Sequence, residues 1–572
     1  MSPSGRVSAG LRAVRNRLEL SLAGVVVAGL AAWASLLPSL LPRTWFYQGL
    51  VTGISLTVGY LLGWLLHVVW VRLVWPRLTL GPTRVSVLER SLYWLRAAAP
   101  YALALYLLLL TMTAIRAQDQ VADLVGAPRP PWGEYMLIPV VALAVFAVLV
   151  TVARLLRRGA RRVRLFAQRR FDIPVLPARI IGVVVIAVLI LGMVQGVLPR
   201  VLLTGADQLF SVQDSADYDG VTTPTETERS GGPDSLVSAD DLGMEGRRFV
   251  DGGLRSGELS ELLGQPAREP IRLYAGLDSA DTDTERASLV VEELDRTDAA
   301  ARESIVVAPT TGTGWINPHA AQAIELLSAG DVAIVGTQYS HLPSWISFLA
   351  DRETATRAGA ALVDAVVEWR DSLPEDSNHP DVFLYGESLG TQAGEAAFTG
   401  LVDLRQKVDG VLWLGPPNSN RIWSALVERR DPGTTAVEPV YADGLLVRFS
   451  EDPSEFRGTA DPHWIPPHIL YVQHATDPVV WWNPDLLFSR PDWLAEPPGR
   501  GRHPDMRFIP VITFWQVSAD LGNAVGASAG YGHDYDSQML DGWAAVTSRP
   551  GWDDSEAERF TAMLAEAMEG QP

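Results

Sequence analysis

The chain has 572 residues, more than one ordinary hydrophobic core organises, so two or more domains are expected. It contains no cysteine, which excludes disulfides, a thiolate nucleophile and Cys-ligated metal. A formal net charge of −19 hides an asymmetry: residues 1–204 hold 22 Arg, no Lys and 6 acids, a net of +16, and the rest hold 25 basic and 60 acidic side chains, a net of −35. Such a split implies two parts in different surroundings. No nucleic-acid partner, cofactor or metal is expected.

Five apolar stretches precede residue 204, at roughly 19–41, 48–75, 93–115, 135–153 and 180–203. Each is close to the ~20 residues a helix needs to cross a bilayer core. Trp33, Trp45, Trp64, Trp70, Trp75, Trp94 and Trp132 lie largely near the ends of these runs, as interfacial anchors do. Arginine placement predicts an orientation. Arg6, Arg12, Arg15 and Arg17 precede the first run, Arg77, Arg84 and Arg90 lie between the second and third, and nine arginines from Arg154 to Arg179 lie between the fourth and fifth. The other two loops hold only Arg43, Arg116 and Arg129. By the positive-inside rule the Arg-rich side is cytoplasmic, and five crossings put everything after about residue 204 outside. The first run also resembles a signal peptide with Ala32-Trp33-Ala34 as a poor cleavage site, but it stays apolar to Leu41, which favours an uncleaved span. The spans carry few ionisable groups, so residues 1–204 read as an anchor or lipid-contacting module and not as a transporter.

Residues 205–244 are rich in Asp, Ser, Thr, Gly and Pro and read as a disordered acidic linker. From 245 to 572, strand and helix signals alternate. Strands are expected at 271–275, 304–308, 332–336, 381–385, 408–414, 469–473 and 508–513, and helices at 283–296, 353–372 and 391–398. Asn317-Pro318 reads as an N-cap followed by proline at the first helical position. Short apolar strands alternating with helices predict an α/β fold, a mostly parallel sheet with helices on both faces.

The chemistry centres on Gly386-Glu387-Ser388-Leu389-Gly390, a G-x-S-x-G at a strand-to-helix turn. The turn leaves no room for side chains beside the serine, whose hydroxyl is pushed out over the sheet edge. A serine hydroxyl needs a base, and the base needs an orienting acid. In the order Ser, acid, His, the acid falls at Asp477, just past the 469–473 strand, and the base at His533 in a Gly-rich late loop. Asp534 and Asp536 compete for the acid, and His474 and His503 for the base. His474 follows the acid's strand directly and is out of order, and His503 sits in a polar loop. The oxyanion needs two backbone donors: Leu389 N–H and one amide of the Thr310–Gly314 loop, for which Thr311 and Gly312 are candidates. That loop lacks the G-x-x-x-x-G-K-[ST] pattern of a phosphate cradle.

Thr310-Thr-Gly-Thr-Gly-Trp315, Tyr339-Ser-His-Leu-Pro-Ser-Trp345, Gly386–Gly390, Gly415-Pro-Pro417, Gln473-His-Ala-Thr-Asp-Pro-Val479 and Gly532-His533 together resemble the actinobacterial membrane-anchored α/β-hydrolase family. The resemblance implies an N-terminal multi-span domain joined to an α/β-hydrolase domain with a serine triad, and it implies no substrate. Trp315, Trp345, Trp413, Trp423, Trp464, Trp481 and Trp482 divide between core filling and an apolar acyl pocket. The 416–467 stretch is long enough to form a cap. The expected activity is a membrane-bound serine esterase or lipase on a lipid or cell-envelope ester, with membrane lipids as surroundings. An acyltransferase with the same triad, or a non-catalytic envelope scaffold, is the alternative.

Overall fold

Seven short runs dominated by Val, Ile, Leu and aromatic residues pair into one sheet because each is buried on both faces and must satisfy its backbone against a neighbour. The strands are β1 (Ile271–Ala275), β2 (Ser304–Val307), β3 (Val332–Thr337), β4 (Asp381–Glu387), β5 (Gly410–Leu414), β6 (Val447–Ser450) and β7 (His468–Val472). Their order is β1-β3-β2-β4-β5-β7-β6, and every pair is parallel. Helices such as Asp283–Arg296, Pro318–Leu327 and Arg352–Asp371 connect them. Thr282 and Glu285 form a capping box at the first, and the Asn317 side chain accepts the His319 N–H at the second.

The computed structural model describes residues 21–74, 101, 105–193, 214, 218–343, 346–347, 352–458, 461–569 and 571. The chain divides into two units: residues 1–191, 484–494 and 501–523 form one, and residues 192–483, 495–500 and 524–572 the other. The second unit holds the sheet.

In the first unit, Trp45–Leu73, Glu134–Phe171 and Val175–Gly192 are long and apolar enough to cross a membrane, and Leu22–Ala34 is a shorter apolar helix. Much of the run expected at 93–115, and the end of the one at 180–203, lie outside the described residues. Small residues set the packing. A Cβ at Gly59 would lie 2.7 Å from the Ala31 Cβ, and one at Gly53 2.6 Å from the Val145 Cβ, so the helices approach closely there. Leu61, Leu65, Val183 and Leu189 remain exposed, an apolar exterior that water disfavours. The helix Ile138–Phe171 has 34 residues, about 51 Å at 1.5 Å per residue. It therefore outruns a ~30 Å hydrocarbon core, and its excess is the arginine-rich end.

Three expectations change. The stretch expected to be a disordered tether is held down where it is described, at residue 214 and from residue 218 on. Arg229 is fully buried and donates to Val250 O at 2.7 Å and Gly252 O at 2.6 Å, and Ser230 Oγ donates to Glu293 at 3.0 Å. The 416–467 stretch supplies β6, a strand of the sheet, so it is not a cap alone. The run at 508–513 is no strand: it leads into the helix Ile512–Asp520, which belongs to the first unit.

Candidate active site

Strand register levels the sheet edge at which the site lies. Glu387 pairs with Leu414, and Leu414 with Val472, so the carboxyl ends of β4, β5 and β7 are level. The residues that follow, Ser388, Gly415 and Gln473, therefore open side by side at one sheet edge. The 309–315 loop joins them, because β2 pairs with β4. Ligands of open α/β sheets bind at this edge, where the strand order reverses.

Ser388 carries the strain expected of the turn, with φ 55° and ψ −124°. The flanking glycines are needed for close approach. A Cβ on Gly386 would sit 2.7 Å from the Trp413 ring and 2.8 Å from the Thr391 nitrogen, and one on Gly390 would collide with Pro309 O. The Ser388 N–H donates to Leu414 O at 2.9 Å, which fixes the serine beside Gly415. Gly415 has φ +56°, and a Cβ there would lie 2.5 Å from His533 Cε1. The imidazole thus rests over the residue next to the one that holds the serine backbone.

Asp477 and His533 meet directly: His533 Nδ1 and Asp477 Oδ2 are 2.6 Å apart, with Asp477 fully buried and the His533 side chain 11 % exposed. A second donor, the Tyr535 hydroxyl, reaches the same oxygen at 2.7 Å. Asp477 Oδ1 accepts the Val479 N–H at 2.8 Å and so caps the short helix Pro478–Trp481. The loop bearing the histidine is pinned to the acid's loop at two further points. Gly532 N–H donates to Thr476 Oγ1 at 2.9 Å, and His474 Nδ1 meets Gly532 O at 2.9 Å. His474 is spent on this: its other nitrogen meets Gln538 Oε1 at 3.0 Å, its ring stacks on Tyr535, and burial lowers its pKa. His503 lies in the first unit and accepts the Asp505 N–H. The rival acids are engaged elsewhere, Asp534 with the Asp536 N–H and Asp536 with Asn317.

The electrostatics favour a basic imidazole. Burial works to lower the His533 pKa, but the charge and hydrogen bond of Asp477, with Glu387 and Asp534 nearby, outweigh it and raise the value above the ordinary 6.5. Glu387, the variable residue before the serine, is buried. Its carboxyl accepts from Asn317 Nδ2 at 3.0 Å and from the Tyr385 hydroxyl at 2.8 Å, and burial raises its pKa against the pull of His533. Neither Tyr535 nor Glu387 was expected from sequence. The proximity of Tyr535 to His533 in the chain was the available signal for the first, and nothing in the pattern marks the second.

Leu389 opens the helix Leu389–Glu395, so its N–H has no partner within the helix. Of the two loop candidates, Thr311 N–H donates to Trp315 O at 3.4 Å, a long bond, and Gly312 follows it in the turn. Thr310 anchors the loop by donating its hydroxyl to Thr337 O at 2.7 Å. Four of the tryptophans weighed for a pocket, Trp413, Trp423, Trp464 and Trp481, are buried as core. Trp345 lies outside the described residues. Among the described residues, no group of three or more His, Cys, Asp or Glu is arranged to hold a metal.

Residues 271–560 match the family described as "Alpha/beta-hydrolase family", and residues 36–253 match the one described as "Alpha/beta-hydrolase family N-terminus". No curated protein and no solved structure matches the chain.

Proposed function

The chain belongs to the alpha/beta-hydrolase family, and from that premise we propose that it is a membrane-anchored serine hydrolase acting on a lipid or cell-envelope acyl ester. Ser388 is the nucleophile, His533 the general base and acid, and Asp477 the acid that orients it. The observation that carries this reading is the 2.6 Å contact between His533 Nδ1 and the buried Asp477, beside a serine held in the strained turn. That contact leaves Nε2 as the atom that takes the proton.

In the first step Ser388 Oγ attacks the acyl carbon as its proton passes to His533 Nε2. The tetrahedral oxyanion is held by Leu389 N–H and a Thr311 or Gly312 amide. The intermediate collapses, the C–O bond to the alcohol breaks, and that oxygen takes the proton from His533. Water then attacks the acyl-enzyme with its proton going to His533, and the acid is released as Ser388 regains a proton. Asp477 favours the imidazolium that forms in both halves.

The membrane placement rests on the apolar N-terminal helices and the arginine pattern. Of the arginine-poor stretches, residues 35–44 meet residues 118–135 through Arg43 and the 512–523 segment through Pro42, within the first unit. This agrees with all three lying on one side of a bilayer, the outer side by the positive-inside rule. Because the chain has no cysteine, a single Thr222→Cys variant is a clean probe. It should react with an impermeant thiol reagent from outside intact cells, and protection until lysis would reverse the proposed orientation. The activity is tested by turnover of envelope lipid extracts by the solubilised full-length protein and its Ser388→Ala variant. Equal ester cleavage by the two would remove the proposal.

A further inference from the structure

The loop that bears the candidate oxyanion amides is glycine-rich, and its own sequence does not hold it still. Thr311-Gly312-Thr313-Gly314 carries two glycines, and glycine has more backbone freedom to lose than any other residue. Stabilising an oxyanion requires donors that are fixed before the charge develops. The order must therefore come from what the loop is tied to. Its first arm is tied at Thr310, whose hydroxyl donates to Thr337 O at 2.7 Å, and at Pro309, whose carbonyl a Cβ on Gly390 would strike. The turn is closed by the Gly314 N–H donating to Thr311 O at 2.9 Å. Its second arm is tied by two side chains from the carboxyl ends of paired strands. Tyr274, in β1 and fully buried, donates its hydroxyl to Gly314 O at 2.7 Å. Gln338, the residue after β3 and also buried, donates from Nε2 to Thr313 O at 3.2 Å.

Each of the two side chains is itself held in one orientation. The Leu277 N–H donates to Gln338 Oε1 at 3.2 Å, which turns Nε2 toward the loop. Nε2 also reaches Asp214 Oδ2 at 3.0 Å, and Asp214 Oδ1 accepts the Met244 N–H at 3.0 Å. The Tyr274 ring fills space that two glycines leave clear: a Cβ on Gly246 would lie 2.6 Å from the ring, and one on Gly314 would collide with the hydroxyl oxygen. A peptide unit is planar, so fixing a carbonyl also fixes the N–H across the same bond. With Thr313 O and Gly314 O held on one arm and Thr310 on the other, the Thr311 and Gly312 amides are bracketed from both sides.

We propose that Tyr274 and Gln338 are positioning residues for the oxyanion site: from the ends of β1 and β3 they hold the second arm of the 310–315 loop and so preset the amide that works with Leu389 N–H. Both act through the loop backbone, and all of these residues belong to the sheet-bearing unit. This role rests on the reading given above, in which a Thr311 or Gly312 amide meets the oxyanion formed at Ser388.

The test compares Tyr274→Phe and Gln338→Met with the wild type, as full-length protein in detergent micelles. Each variant removes the donor and keeps most of the side chain's volume. The probe is an alkyl fluorophosphonate: Ser388 Oγ attacks phosphorus, its proton passes to His533, fluoride leaves, and the phosphoryl oxygen gathers charge as the oxyanion of ester cleavage does. Labelling is followed against probe concentration, which separates the rate at saturation from the half-saturating concentration. Hydrogen exchange is followed, without probe, over 309–316 and over β4 and β5. Tyr274→Phe should lower the saturating rate about tenfold or more and Gln338→Met about threefold or more, with the half-saturating concentration within about twofold of wild type, since a misplaced donor costs rate and not ground-state binding. Exchange over 309–316 should rise in both, with β4 and β5 unchanged. If Gln338→Met does not fold, Tyr274→Phe decides alone. A wild-type saturating rate, or wild-type exchange over 309–316, in a folded variant would overturn the role of that residue. Exchange that rises equally across β4 and β5 would make the residue a general support of the sheet and overturn the positioning role. Exchange reports the loop whether or not Ser388 reacts, and wild-type labelling set against Ser388→Ala reports the triad, so failure of one reading is separable from failure of the other.

Discussion

Two of the buried acid–base pairs among the described residues, Asp477–His533 in the second unit and Arg43–Asp520 in the first, differ in how completely they are satisfied. Asp477 has each oxygen engaged: Oδ2 with His533 and Tyr535, Oδ1 with the Val479 amide. In the N-terminal unit, Arg43 Nε and Nη1 and Asp520 Oδ1 lack a hydrogen-bond partner although both residues are fully buried. The first pair has one partner, the His533 imidazole, whose pKa is raised from an ordinary value near neutral pH. The second pairs a guanidinium that stays charged with a carboxylate remote from solvent. A buried pair whose atoms are all engaged is solvated by its protein, whereas a pair with donors and an acceptor left over relies on mutual attraction to offset its desolvation.

That contrast is sharpened first by removing the base. His533→Ala should lower the rate of serine labelling by about 10⁴–10⁶-fold while the protein still folds, on the scale that loss of a triad base costs. Asp477→Asn should keep the geometry and cost about 10²–10⁴-fold, since the amide neither fixes the tautomer nor favours the imidazolium. Both are read as labelling kinetics against the wild type.

The pH dependence separates the pairs next. The His533 pKa is raised by Asp477, Glu387 and Asp534 against burial, and a general base works when neutral. Labelling should therefore fall as pH drops through a midpoint above 6.5. The same shift stabilises the fold in the opposite sense, because the folded state binds the proton more tightly. That contribution is fully present below about 6.5, the unfolded value, and is lost as pH rises through the folded one. Glu387→Gln should move the labelling midpoint down with a smaller loss of rate, and an unchanged midpoint would show that its carboxyl does not act on His533.

The smallest effect concerns the second donor to Asp477. Tyr535→Phe removes a hydrogen bond to a buried carboxylate and should lower unfolding stability by about 1–3 kcal/mol. A denaturant melt of the solubilised protein reads it, and no change would mean that the hydroxyl is not needed to solvate Asp477.

Much of this was legible in the chain. The strands at 271, 304, 332, 381, 410 and 468 followed from continuous apolar runs, and the family resemblance read from the motifs agrees with the family matched. Chain order and strand ends point to Ser388, Asp477 and His533, and the sheet brings the residues around Ser388 and Asp477 to one edge. The failures share a cause, which is that local pattern cannot see a distant partner. Ile509–Thr513 is β-branched and apolar, but packing in the N-terminal unit makes it the approach and first turn of a helix. The acidic 218–244 stretch looks unable to bury anything, yet the buried Arg229 and Ser230 tie it to Val250, Gly252 and Glu293. The strand β6 is only four residues long and includes the half-buried Arg448, so its pattern is too brief to mark a strand.

The most direct test is adduct mapping. Full-length protein in detergent is treated with a fluorophosphonate at pH 8, digested and analysed by mass spectrometry. The account predicts one phosphonylated serine, Ser388, formed on folded protein only and absent from Ser388→Ala. No adduct on folded protein, or the same adduct pattern in Ser388→Ala, would contradict it.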